Sequence, residues 1–318
     1  MNQYVKRARA WAKPILPPFF RLIIACFQKA DRLWGPRCLS CLLVPALVFD
    51  GLRSMPDYPY FKRLRETLPA TFWRKAPLAH YLHMFRVWNE TLVTILLYDR
   101  LSSPAWKARM TVSGTPPDQL PEWGQRPVIV TFLHAGAFGI LRYWLRSRGI
   151  PTASLIRGLP RILLTFGETS RQDGDARYAL RDVPHTFIGP NSMRQALGFL
   201  RPGRALTLAL DGNVSGKLIP CQVNGTILHL KDGVVRFAQK TNAMVLPVSV
   251  LRRGPFRFEF RFGLPLPDRL LQSNDTRTAL QYLARELWNE LEQDPVAMNW
   301  SVLEALAPEK VDPRSNWP

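Results

Sequence analysis

A histidine ionises near neutral pH, so one held at the end of a strand is well placed to move a proton. His134 has that position. In PVIVTFLHAGAFGILRYWLRSRG (residues 127–149) a β-branched and aromatic run ends at this histidine, a turn of small residues follows, and a helix is expected from about Phe138. Open α/β sheets bind ligands beyond the carboxyl ends of their strands, and free N–H groups at a helix start can hold a developing negative charge. His134 is therefore a candidate general base, with backbone donors just after it as a candidate oxyanion site. A histidine that only hydrogen-bonds its own turn is the other reading.

Other chemistry is weakly signalled. There is no G-x-S-x-G nucleophile elbow, and GNVSGK lacks one residue of the P-loop spacing. His80 and His83 can share a helix face, but no third ligand accompanies them, so no metal is expected. Cys38 and Cys41 form a C-x-x-C in an apolar setting, for which two buried thiols are the better reading than metal or redox use.

The elements that must position His134 follow from the pattern of apolar residues. From Pro127 onward, short apolar runs alternate with amphipathic segments, the signature of βαβ units and a mostly parallel sheet. Strands are expected at Val128 to Leu133, Thr152 to Arg157, His185 to Ile188, Ala205 to Leu210, Thr226 to Leu230, Met244 to Leu251 and Phe256 to Phe262. A helix is expected from about Asp275 to Glu292, where Leu280, Leu283, Leu287 and Leu291 share one face. Residues 56 to 100 look helical, and SGTPPDQLPEWGQRP closes that region as a loop. The expected organisation is a basic helical, membrane-associating region over 1–110, an α/β domain over 125–306 and a tail over 307–318.

The order of motifs resembles the lysophospholipid acyltransferase superfamily and, within it, the lipid A biosynthesis (lauroyl/myristoyl) acyltransferases. TFLHAGAFG resembles the family's H-x4-D/E junction, LIRGLPR its basic segment, and FLRPGRALTLALDGNVSG its strand leading into an acidic turn. CQVNGTILHLKDGVVRFAQKTNAMVLPVSVLR and DPVAMNW match further elements, so the resemblance covers roughly residues 125 to 302. It implies an α/β fold of the glycerol-3-phosphate acyltransferase type. The implied reaction moves a fatty acyl group from acyl carrier protein to a glycolipid such as a lipid A precursor, with no cofactor.

One position departs from the family pattern. Five residues after His134 stands Gly139, so the carboxylate that orients the imidazole in the family is missing. Loss of an orienting carboxylate costs up to ~10⁴-fold in serine proteases. Asp211 is the best substitute, because it ends the strand ALTLAL and belongs at the same carboxyl edge of the sheet; an Asx-type turn beside Gly212 is its other reading. Glu168, Asp173 and Asp175 rank lower. Arg157 follows a strand end, and Arg161, Arg171 and Arg177 fall where the family places arginines. Guanidinium groups bind phosphate bidentately, so Arg157, Arg171 and Arg177, with Gly136 in the turn, are the candidate substrate contacts. A catalytically inactive relative that binds lipid or docks in a membrane complex is the alternative function.

Charge agrees with anionic partners. The 318 residues carry a formal +19, and residues 1 to 100 alone hold 16 basic and 6 acidic side chains. Two apolar stretches there, Pro14 to Phe27 and Cys38 to Phe49, fall short of the ~20 apolar residues a spanning helix needs. Two readings stay open for them: basic side chains on anionic headgroups with apolar ones entering the lipid boundary, or an ordinary helical core. The first places the protein as peripheral or monotopic on the cytoplasmic face of an inner membrane. No nucleic-acid module is present, and no nucleic-acid partner is expected.

Overall fold

The computed structural model describes residues 16–36, 39–155, 186–187, 192–211, 217–273 and 275–306. It opens with two helices, α1 (Leu16–Trp34) and α2 (Leu39–Ser54). Gly35 ends α1 in the left-handed conformation, φ +73°, with its N–H on the Asp31 carbonyl at 2.9 Å. Next come α3 (Tyr58–Arg65) and α4 (Pro77–Leu96), separated by a 3-10 turn at Ala70–Phe72. The helical stretch expected over residues 56 to 100 is thus broken, and Trp73 is extended. Pro69 and Pro77 account for the break, since each disfavours helix in the residue before it.

After α5 (Pro104–Lys107) the chain forms β1 (Met110–Ser113), a strand with no expected counterpart. There follow β2 (Val128–Phe132), α6 (Leu141–Ser147), β3 (Thr152–Leu155), β4 (Thr186–Phe187), α7 (Ser192–Phe199) and β5 (Ala205–Ala209). The antiparallel pair β6 (Leu218–Val223) and β7 (Thr226–Lys231) precedes α8 (Gly233–Thr241), and β6 was also unanticipated. The chain continues through β8 (Met244–Gly254), β9 (Arg257–Phe262), α9 (Asp268–Gln272), α10 (Thr276–Gln293) and α11 (Trp300–Leu306).

Among the described residues, seven strands form one sheet in the order β1-β9-β8-β2-β5-β3-β4. β2 lies parallel to both β5 and β8, and β3 lies parallel to β5 and β4. β9 runs antiparallel to the second half of β8. The architecture is α/β, a mostly parallel sheet flanked by helices and preceded by a helical amino-terminal region.

Both faces of β2 are buried, which explains its unbroken apolar run. Ile129 joins a core with Leu206, Leu280, Leu283 and Trp288, while Val128 and Val130 join a second core with Trp144, Leu246 and Phe260. In α10, Leu280, Leu283, Leu287 and Leu291 all face inward, as their spacing predicts. Asp275 caps that helix by accepting from the N–H groups of Arg277 and Thr278 at 3.1 and 3.2 Å.

The amino-terminal helices share these cores. Phe61, Leu64 and Tyr81 lie with Ile129, and Phe27, Ala30, Leu39 and Leu43 lie with Val128. Asp31, buried on α1, accepts from Arg100 Nε and Trp106 Nε1, both at 3.1 Å. Among the described residues no helix is long and apolar enough to cross a membrane. Cys41 is exposed, which corrects the expectation of a buried thiol pair at Cys38 and Cys41; Cys221 is buried.

Asp31→Ala should lower stability by about 1–3 kcal/mol, because it strips two donors of their acceptor in a closed setting. Thermal unfolding followed by circular dichroism measures this, and an unchanged midpoint contradicts it.

Candidate active site

The parallel pairing of β2 with β5 sets Phe132 opposite Ala209, and the Leu210 N–H reaches the Phe132 carbonyl at 2.9 Å. His134 and Asp211 each lie two residues past these strand ends. Their side chains meet. His134 Nδ1 is 2.8 Å from Asp211 Oδ1, and the His134 backbone N–H lies 3.1 and 3.0 Å from the two carboxylate oxygens. A carboxylate only accepts, so Nδ1 carries the proton and Nε2 of the neutral ring keeps its lone pair.

The carboxylate of Asp211 is fully buried, whereas His134 leaves 26% of its side chain accessible. Phe138 meets the imidazole edge-on at 4.6 Å and Phe132 does so at 5.8 Å, with the two phenyl rings stacked on each other. Burial by itself lowers the His134 pKa, but the charge of Asp211 and its hydrogen bond outweigh burial and hold it above the ordinary histidine value.

The backbone after His134 differs from expectation. The N–H groups of Ala135, Gly136 and Ala137 already bond to the carbonyls of Leu133, Ala297 and Val250, at 2.6, 2.6 and 2.8 Å. None of these three is available to an oxyanion. Gly136 sits at φ +57°, and a Cβ there would stand 2.1 Å from the Val250 carbonyl oxygen. Close backbone approach is what the structure requires of this glycine.

Gly139 also has a packing reason. A Cβ at this position would meet Thr91 Cγ2 at 2.9 Å and Ile95 Cδ1 at 3.8 Å, because α4 lies directly against the turn. Any side chain there requires the Thr91 methyl to give way. The helix is held by Glu90, which is wholly buried and accepts from Arg252 Nε and Nη2, both at 2.8 Å, from Arg86 Nε at 3.2 Å and from the Phe256 N–H at 3.1 Å. Position 139 is tightly packed, whereas the carboxylate that meets His134 comes from Asp211, past the end of the neighbouring strand.

Two further polar side chains near the site had no clear sequence signal. Tyr60 on α3 donates to Glu304 Oε1 on α11 at 3.1 Å and stacks on Trp300. Burial and the charge of Asp211 hold the Glu304 carboxyl above the usual range, with the Tyr60 hydrogen bond opposing.

Arg157, Arg161, Arg171 and Arg177, together with Glu168, Asp173 and Asp175, lie outside the described residues. Arg204 precedes β5, at the opposite end of the strand from Asp211, and its guanidinium lies over Phe199 at 5.2 Å. Lys217 is exposed and donates its backbone N–H to Asp232 at 2.8 Å. Among the described residues no group of three or more metal-ligating side chains converges.

Comparison with protein-family models finds no match, and comparison with curated proteins finds none either. The chain is similar in structure to the 1-acyl-sn-glycerophosphate (LPA) acyltransferase PlsC from Thermotoga maritima, at 14% sequence identity and a TM-score of 0.39, over 80% of this chain and 97% of that one.

The raised His134 pKa makes a signed prediction. The His134–Asp211 pair contributes its full stability below the unfolded histidine pKa of about 6.5 and loses it as pH rises through the folded value. In a ¹⁵N-histidine NMR titration, His134 should titrate above about 6.5, and Asp211→Asn should bring it below that value, since burial then acts unopposed. Equal midpoints in the two proteins would contradict the pairing.

Proposed function

We propose that this chain is an acyltransferase that moves a fatty acyl group from acyl carrier protein to a glycolipid acceptor such as a lipid A precursor. The observation that carries this reading is the His134–Asp211 pair at the carboxyl edge of a parallel sheet, with the imidazole partly accessible. His134 Nε2 takes the proton from an acceptor hydroxyl, whose oxygen attacks the thioester carbonyl. A carbon–oxygen bond forms and the carbon–sulfur bond breaks. The imidazolium then returns its proton to the departing thiolate, so no metal or nucleotide cofactor is called for. Asp211 fixes the productive tautomer and stabilises the imidazolium, the task that a motif carboxylate at position 139 would have. Arg157, Arg171 and Arg177 are the proposed phosphate contacts on the acceptor or on the carrier's phosphopantetheine arm.

An inactive, lipid-binding relative is the second reading, and Gly139 is the observation that favours it. The two are separated by incubating the protein with acyl carrier protein thioesters and phosphorylated glycolipid acceptors. Transfer that His134→Ala reduces by 10³-fold or more, on the order of the serine-protease precedent, is the expected outcome. No transfer, or equal rates in wild type and variant, favours the inactive relative.

The proposed location is the cytoplasmic face of an inner membrane, held there by anionic lipid. Val44, Val48 and Leu52 recur every fourth residue on α2 and each expose more than half of their surface. Leu33 and Trp34, exposed at the end of α1, lie beside exposed Lys29 and Arg32. Such an apolar stripe with basic neighbours suits the headgroup boundary of an anionic bilayer. Because the inner faces of α1 and α2 belong to the core, deleting residues 1–55 would damage the fold as well as the contact. Replacing Val44, Val48 and Leu52 by Asp should abolish flotation with phosphatidylglycerol vesicles while preserving the circular dichroism spectrum; undiminished flotation would contradict this surface.

A further inference from the structure

The turn that carries His134 is clamped from outside the sheet. Gly136 donates to the Ala297 carbonyl at 2.6 Å, and Ala135 pairs with Met298 in an antiparallel bridge. The clamping residues belong to a short irregular segment, a 3-10 turn at Pro295–Ala297 followed by extended Met298, which has no strand ladder to fix its position. What fixes it from the other side is α4. His80 Nε2 lies 3.0 Å from the Met298 carbonyl oxygen.

His80 has no accessible surface, and Phe61 and Trp73 pack against its ring at 5.0 and 5.1 Å. A carbonyl only accepts, so the ring must be the Nε2–H tautomer. Its Nδ1 is buried and makes no well-aligned hydrogen bond, although the Val296 carbonyl also lies close enough to the ring to favour its charged form. A phenyl or leucyl side chain would fill this space without leaving a polar atom unsatisfied. The bond to Met298 is thus the property that distinguishes histidine from an apolar residue here. Burial lowers the His80 pKa to about 4, with the Met298 and Val296 carbonyls opposing and the charges of Arg65 and Lys75 adding, so the ring is neutral at working pH.

We propose that His80 is a positioning residue for His134: its Nε2–H bond holds the 297–298 segment, and that segment holds the turn in which His134 meets Asp211. The turnover readout rests on the acyltransferase reading, whereas the histidine titration does not.

The experiment compares full-length wild type with His80→Phe, which keeps a ring and loses the donor, and His80→Gln, whose amide can donate at a similar reach. His80→Phe should lower the His134 titration midpoint and reduce kcat by about 10²-fold with KM changed little, as expected for a misplacement on the order of 1 Å. His80→Gln should restore both. A folded His80→Phe protein with an unchanged His134 midpoint overturns the inference, as does a His80→Gln protein as defective as His80→Phe. Should His80→Phe fail to fold, wild type decides: the ¹⁵N shifts of His80 must show the Nε2–H tautomer with a solvent-protected ring proton, and the Nδ1–H tautomer overturns the inference. Absence of turnover in wild type counts against the acyltransferase reading and leaves the titration result standing.

Discussion

Everything at this site depends on the register between two neighbouring parallel strands. With Phe132 opposite Ala209, the second residue after β2 and the second after β5 emerge side by side, and these are His134 and Asp211. A slip of one residue would send Asp211 to the other face of the sheet. Burial on both faces holds β2 in the middle of the sheet, with Ile129 in one core and Val128 and Val130 in the other. Hydrophobic packing thus supports the geometry of a proton-transfer pair, and Phe132 at the end of β2 also packs on the His134 ring.

The second constraint is α4, which touches the site region at two heights. His80 near its start bonds to Met298, buried Glu90 ties its middle to Arg252 on β8, and Thr91 lies against Gly139. The close approach of Thr91 favours glycine at position 139. A carboxylate at the fifth residue after His134 would have to displace the Thr91 methyl group. Asp211, approaching from β5, is compatible with the helix.

Much of this was legible in the sequence. The βαβ texture after Pro127 announced the parallel sheet, the leucine spacing in α10 announced its buried face, and the strand expected over Ala205 to Leu210 placed Asp211 at the edge with His134. Strand β1 was hidden because four residues with one buried side chain carry too little alternation to stand out, and its ladder partner β9 lies about 150 residues away. The partners of the turn amides were equally hidden. Nothing local in HAGAFG says that carbonyls from Ala297 and Val250 will saturate it, since both arrive through tertiary packing. Tyr60, Glu304 and His80 escaped for the same reason: each acts through a partner more than 200 residues distant in the chain.

That Asp211 serves as the orienting carboxylate of His134 is the central claim, and a double-mutant cycle in acyl transfer tests it most directly. If Asp211 works only through His134, then His134→Ala with Asp211→Asn should be no slower than His134→Ala alone, because the carboxylate has nothing left to orient. If instead the two losses multiply, the residues act independently and the pair is not a catalytic unit.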